Sequence, residues 1–269
     1  MGQVLESGDA EGHIDTEALG EYEERIRDTR PRLVGRTEEV GGKARVRAGD
    51  GGLWVWKPPV RERVDRDTGR TLPAHRYVIA VDVSSGTSND YTGVQVVDVD
   101  AFEQVAEFQA KMDPDLVAVE AARLGRIYND ALIAPEVTGG WGFSVVSELQ
   151  RMRYPKLFTR RTYDRLSKRY TDKVGWDTQA GSRAMMLDTL ERVIRDREFT
   201  LRSQRCLGEM VSFVWPDGSA KVPQAQPDCN DDLVMALAIA VYVTTTLPKE
   251  LRRPKRREHK PLVAASTGY

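Results

Sequence analysis

Between residues 75 and 248 the chain alternates apolar runs of strand length with apolar positions at helical spacing. Residues 77–83 (YVIAVDV) and 93–99 (GVQVVDV) are β-branched runs that predict two strands. The SSGTSNDY between them carries the Gly, Ser, Asn and Asp of a hairpin connection. Residues 104–109 predict a third strand. Asp113 and Pro114 then open a helix that runs to about Asn129, with Pro at its first position. A fourth strand follows at 132–137. Thr138-Gly139-Gly140 turns into a helix ending near Met152, and 157–159 reads as a short fifth strand. Met185, Met186, Leu190, Val193 and Ile194 are spaced for a helix over 182–197. The apolar stretch 230–243 predicts a last, buried helix. Three strands in meander order followed by alternating helices and strands predict an α/β domain. Its sheet is mixed, an antiparallel three-strand meander plus parallel strands, with helices on its faces.

The flanks read differently. Residues 1–74 form an accessory or linker segment: a helical stretch (EALGEYEERIRDTRP), a Gly-rich passage, a strand-like LWVW at 53–56 and a charged, Pro-flanked linker. A helix, a hairpin-like element and loose connections are expected there, without an independent core. Residues 249–269 are basic and Pro-interrupted, the composition of a disordered tail.

With 40% hydrophobic and 30% charged residues the chain is of ordinary globular composition. No apolar run reaches the length of a membrane span, and the N-terminus lacks the basic and apolar regions of an export signal. Cys206 and Cys229 have no C-x-x-C spacing or histidine partners, which argues against structural zinc and fits a reducing compartment with both as buried small hydrophobes. The net charge of −1 hides segregation. Acids gather at the N-terminus, in the middle and at Asp228, Asp231 and Asp232. Bases gather at 151–173 and 249–260, a division suited to holding a polyanion on one face and cations on another.

Three acidic elements, holding four carboxylates, carry the chemistry. Asp82 interrupts an apolar strand, where a carboxylate is expensive to bury unpaired; a strand-end turn former is the alternative. Glu136 ends another apolar strand before a Gly-rich turn, the place where α/β sheets put ligands; an ordinary exposed glutamate is its alternative. Asp231 and Asp232 precede a very apolar helix, where capping would explain one of them. Together they offer the converging oxygen ligands that two-metal phosphodiester hydrolysis requires, about 4 Å between the ions. The segment from 151 to 173 supplies Arg160, Arg161, Arg165, Lys168, Arg169 and Lys173 with interleaved tyrosines, a candidate surface for DNA phosphates or else a solvated basic loop. Trp176 reads as a packing anchor rather than a stacking residue. His13, His75 and His259 lie in flanking or linker regions, and none is a strong general-base candidate.

These residues stand in strings that resemble a known family, the nuclease domain of the phage terminase large subunit, which is RNase H-like. VIAVDVSSGTSNDYTGVQVVDV is similar to its first motif, APEVTGGWGFSVVSEL to its second, KVGWDTQAGSRAMMLDTLERVIRDREF to its Gly-Trp-x-Thr segment, and NDDLVMALAIA to its third. The resemblance covers roughly residues 75–246. It implies a metal-dependent endonuclease that cuts double-stranded concatemeric viral DNA during genome packaging. Asp82, Glu136 and Asp231 would be the metal-binding catalytic acids and Asp232 an additional or alternative ligand, for two Mg²⁺ or Mn²⁺ ions. Asp90 matches the family's Asp-Tyr pair, although a turn-stabilising role also explains it.

The resemblance further implies double-stranded DNA, a packaging ATPase, a small terminase subunit and a portal as partners, no membrane, and the cytoplasm of a bacterial host cell. No G-x-x-x-x-G-K-[ST] phosphate-binding loop is present; Gly41-Gly42-Lys43 lacks the upstream Gly and is followed by Ala44. The expectation is therefore a nuclease whose ATPase acts in trans or lies on a missing N-terminal domain. The same acids would serve another RNase H-like nuclease, such as a Holliday-junction resolvase, and a non-enzymatic DNA- or motor-docking module would use them only as caps. The Gly-Trp-x-Thr segment favours the terminase.

Overall fold

Six helices and a seven-stranded sheet account for most of the computed structural model, which describes residues 14–85, 91–164, 168–214, 224–226 and 229–248. In chain order the elements are α1 (Thr16–Ile26), β1 (Leu33–Val40), β2 (Lys43–Ala48), β3 (Leu53–Val55), β4 (Arg63–Val64) and β5 (Thr71–Leu72). Next come β6 (Tyr77–Asp82), β7 (Thr92–Asp98), β8 (Glu103–Ala110), α2 (Pro114–Ile127), β9 (Leu132–Pro135) and α3 (Trp141–Arg151). The chain continues through β10 (Thr159–Asp164), β11 (Arg169–Val174), α4 (Ala180–Arg195), α5 (Gln204–Val211), β12 (Phe213–Val214), β13 (Gln224–Ala225) and α6 (Asp232–Thr246).

The main sheet runs β2-β1-β3-β8-β7-β6-β9. Its centre is the expected antiparallel meander β6-β7-β8, and β9 joins β6 in parallel after the α2 crossover. The residues before 75 add to this sheet: β3 pairs with the free edge of β8, setting buried Leu53 opposite Phe108, and the β1–β2 hairpin continues outward. An unpaired edge strand exposes a row of backbone donors and acceptors, and β3 covers the one that β8 would leave. Helix α1 joins the main core as well. Asp15 caps it by accepting from the Ala18 amide at 2.6 Å, and the Tyr22 hydroxyl donates to the Phe199 carbonyl at 2.5 Å.

Period-two alternation sorts the strands between two cores. Tyr77, Ile79 and Val81 of β6 pack with α2 and α3 on one face, while Val78 and Ala80 pack with α6 on the other, where α1, α4 and α5 complete the layer. Helix α6 is apolar all round and correspondingly buried from Leu233 to Val241. Among the described residues no helix is long and apolar enough to cross a membrane.

Three expectations are revised. Leu157 makes only a single parallel bridge to Ile133, and the chain then turns into a separate hairpin of β10 and β11 where a fifth strand and a basic loop were expected. The short helix α5 was not anticipated. Cys206 is buried as expected, but Cys229 is exposed, because it belongs to the approach to α6 rather than to a core.

Candidate metal centre

The same alternation decides where Asp82 points. Two residues beyond Ala80, it falls on the α6 side of the sheet. Strand β9 runs in register with β6, pairing Ala80 with Ala134 and Val81 with Pro135, and the Glu136 amide donates to the Val81 carbonyl at 2.8 Å. Asp82 and Glu136 therefore stand side by side, one step past the last paired positions, on the face that Ala80 and Ala134 share. On the other flank Gly93 of β7 is directly opposite Asp82.

Helix α6 meets this row end-on. A Cβ at Gly93 would lie 2.4 Å from the carbonyl oxygen of Asp232 and 3.1 Å from its Cβ, so only glycine lets the first turn of α6 come down beside Asp82. Gln95, two residues along β7, donates to the Leu233 carbonyl at 3.3 Å from the same face. Asp231 is the N-cap residue by position, yet its side chain makes no capping hydrogen bond. Glu209 of α5 supplies the cap, one of its carboxylate oxygens accepting from the Leu233 amide at 2.8 Å and the Val234 amide at 3.1 Å. Asp231 instead lies 3.8 Å from the guanidinium of Arg183 on α4. Asp82, Ser84, Cys229, Asn230, Asp231 and Asp232 line an open cavity of about 300 Å³.

The electrostatics match the geometry. Burial first, then the charge and hydrogen bond of Glu136 and the charges of Asp232 and Asp231, hold Asp82 well above the usual carboxylate range. Burial, reinforced by the charges of Asp232 and Glu107 against the two helix amides, pushes Glu209 up to about 7.

The four acids that the sequence singled out are thus one constellation. All are oxygen donors, the class that hard cations such as Mg²⁺ and Mn²⁺ demand, and a divalent cation would relieve their mutual repulsion. Among the described residues no group of three or more His, Cys, Asp and Glu is drawn together closely enough to hold a metal ion. The donor set fits a hard divalent cation and not a closed His/Cys site.

The basic residues divide between the faces of the β10–β11 hairpin. Arg160 pairs with Lys173 and Asp164 with Arg169 in one set of positions; Arg161 pairs with Asp172 and Tyr163 with Tyr170 in the other. Arg160 is held by an ion pair to Asp177, and it lines a second cavity, about 600 Å³, with Lys173, Thr138, Gly139 and Phe143, just past Glu136. Arg161 lies 4.8 Å from the ring centre of Tyr170 on the opposite face. Lys168 sits at the turn with φ +53°. Arg165 and Asp90 lie outside the described residues. Trp176 is buried against Phe158 and Tyr242, a packing residue as expected, and its carbonyl accepts from the Val137 amide at 2.7 Å. His75 pairs with buried Asp98 at 2.7 Å, away from the carboxylate row.

Sequence reasoning missed Gly93 and Glu209. An isolated glycine inside an apolar strand was a legible sign of close backbone approach. Nothing local marked Glu209.

No family model matches this sequence, and no curated protein does. Solved structures do match. The large terminase nuclease from thermophilic phage G20c with bound magnesium aligns at a TM-score of 0.56 and 15% identity, covering 86% of this chain and 96% of that one. The same nuclease with bound cobalt gives 0.54 and 16%, covering 80% and 93%. The large terminase nuclease domain of Thermus phage P74-26 gives 0.50 and 16%, covering 83% and 93%. A mixed sheet built round the β6-β7-β8 meander, β9 in parallel and an apolar α6 across its face give this chain the RNase H-like fold of the phage large terminase nuclease domains.

Proposed function

We propose that the protein is a metal-dependent endonuclease that cuts concatemeric double-stranded DNA during viral genome packaging. The observation that carries this reading is the convergence of Asp82 and Glu136, adjacent in one row of the sheet, with Asp231 and Asp232 at the end of α6. A divalent pair, Mg²⁺ or Mn²⁺, would supply Lewis-acid activation of water and stabilisation of the leaving oxygen. Asp82, Glu136 and Asp231 hold the ions, and Asp232 completes or shares the set. The sheet fixes the first two carboxylates side by side, while the end of α6 sets the distance of the others. Lys173 and Arg169, on the hairpin face that shares the Glu136-side cavity, attract the phosphate backbone without reading bases.

The magnesium- and cobalt-bound structures of the phage G20c nuclease support divalent-ion use here, and the terminase likeness supports a packaging ATPase, a small terminase subunit and a portal as partners in the cytoplasm of a bacterial host. The test is supercoiled-plasmid cleavage in Mg²⁺, Mn²⁺ or EDTA, comparing the wild type with Asp82→Asn. Nicking and linearisation that require the metal and vanish in the variant are expected. Undiminished cutting in EDTA, or by Asp82→Asn, would overturn the reading.

A further inference from the structure

A helix that begins with two metal-ligating aspartates has a conflict at its first turn. Its exposed amides attract the nearest carboxylate, and an aspartate that caps them has its oxygens turned away from any ion. Here the conflict is resolved by a carboxylate from another helix. Glu209 takes the Leu233 and Val234 amides with one oxygen, at 2.8 and 3.1 Å, and receives the Gln109 side-chain amide on the other at 3.2 Å. Asp231, at the position that normally caps, makes no capping bond.

Glu209 is itself held in place. Its helix α5 starts at Ser203, whose hydroxyl accepts from the Cys206 amide at 3.1 Å and donates to Glu107 at 2.7 Å. Glu107 is wholly buried on β8 and also accepts from Arg205 Nε at 2.8 Å. Arg205 in turn lies over the Trp54 ring, 3.9 Å from its centre. An eight-residue helix is thus pinned to the sheet at one end, and its other end reaches α6.

We infer that Glu209 is a positioning residue for the metal centre: by capping α6 from α5 it fixes the first turn and leaves Asp231 and Asp232 directed at the ions. The inference rests on the nuclease reading above. It makes the geometry of the acceptor, rather than its charge, the quantity that matters. Gln keeps an acceptor oxygen at the same reach without the charge; Asp keeps the charge but is one methylene too short.

The experiment compares wild type, Glu209→Gln, Glu209→Asp and Glu209→Ala in the full chain. Mn²⁺ binding is followed by calorimetry and by metal-induced thermal shift. Plasmid cleavage is measured against Mn²⁺ concentration, and hydrogen exchange is followed at residues 229–236. Glu209→Gln is expected to match the wild type in its Mn²⁺ midpoint. Glu209→Asp and Glu209→Ala are expected to need about tenfold more Mn²⁺ or beyond, the usual effect of losing a residue that orients metal ligands. Their exchange at Leu233 and Val234 should quicken, with DNA affinity unchanged.

If Glu209→Ala does not fold, Glu209→Asp against Glu209→Gln still decides the matter. Equal Mn²⁺ midpoints in all folded variants, or Glu209→Gln as impaired as Glu209→Asp, would overturn the positioning role while leaving the nuclease intact. A wild type that neither binds Mn²⁺ nor cuts DNA would remove the nuclease reading itself, and this inference with it.

Discussion

Gly93 stands directly opposite Asp82 in the antiparallel pairing of β6 and β7, and the main chain of Asp232 fills the space where a side chain would be. Two acid-bearing elements far apart in sequence are thereby brought to one point by the absence of a single methyl group.

Gly93→Ala tests that relationship. The added Cβ would meet backbone, which cannot swing aside as a side chain tip can, so the first turn of α6 must shift. Overpacking of this kind costs about 1–3 kcal/mol. A displacement on the order of 1 Å at a reacting centre costs about 100-fold in rate. Folded Gly93→Ala is therefore expected to bind DNA normally and cut it about 100-fold more slowly, read from single-turnover cleavage. Full-rate cleavage would mean that the approach of α6 is not limiting.

The raised Asp82 carboxyl gives a stability prediction with a definite sign. Its folded pKa lies above its unfolded one, so between the two the unfolded chain binds fewer protons and stability falls as pH rises. Asp82→Asn removes that penalty. In EDTA at pH 7 the variant should melt above the wild type, by about 2–4 °C for each kcal/mol of burial and repulsion penalty removed. The gap should close as pH falls below about 3.9, the unperturbed aspartate value. Saturating Mg²⁺ should reverse the order, because only the wild type gains binding energy from it. Equal melting temperatures in EDTA at both pH values would show that neither burial nor the neighbouring carboxylates penalise the charged form of Asp82.

Metal identity is the third test. Mg²⁺ and Mn²⁺ should support cleavage and Ca²⁺ should not, since its larger, irregular coordination shell does not hold the compact arrangement that in-line attack requires. Turnover in Ca²⁺ at the Mg²⁺ rate would contradict the assignment of a tight two-ion site.

The hairpin faces should be unequal in DNA binding. Lys173→Glu is expected to weaken duplex affinity and reduce the salt slope by about 1, the signature of one lost phosphate contact. Arg161→Glu, on the Tyr170 face, should leave the slope unchanged. Matching slopes for the two variants would show that the duplex does not distinguish the faces. Arg160→Ala should lower melting temperature more than DNA affinity, because Arg160 is held by Asp177.

Asp82 and Glu136 were legible in the sequence because each breaks an apolar run at a strand end, where burying charge has no structural reason. Their common face was also implicit, since strands alternate and β6 and β9 keep register. The partner of the LWVW strand was not legible, because β3 finds the edge of β8 through contacts between segments about fifty residues apart. The β10–β11 hairpin hid behind its charges. Thr159, Thr162, Tyr163, Tyr170, Thr171 and Val174 are strand formers, and Tyr163 and Tyr170 sit across from each other at 5.1 Å. Helix α5 was missed because QRCLGEMV is too short to show a period, and the importance of Glu209 lies wholly in where its carboxylate ends up.

On the nuclease reading proposed above, the dependence on α6 also governs when a chain can act on DNA. Strands β6 and β9 pair with each other, but they bring only Asp82 and Glu136. The remaining two acids lie at the start of the last described helix, whose first turn rests against Gly93 of β7 and is capped by Glu209 of α5. A nascent or truncated chain that stops short of residue 231 carries only two of the four proposed ligands and, on the reading proposed above, cannot complete the metal centre.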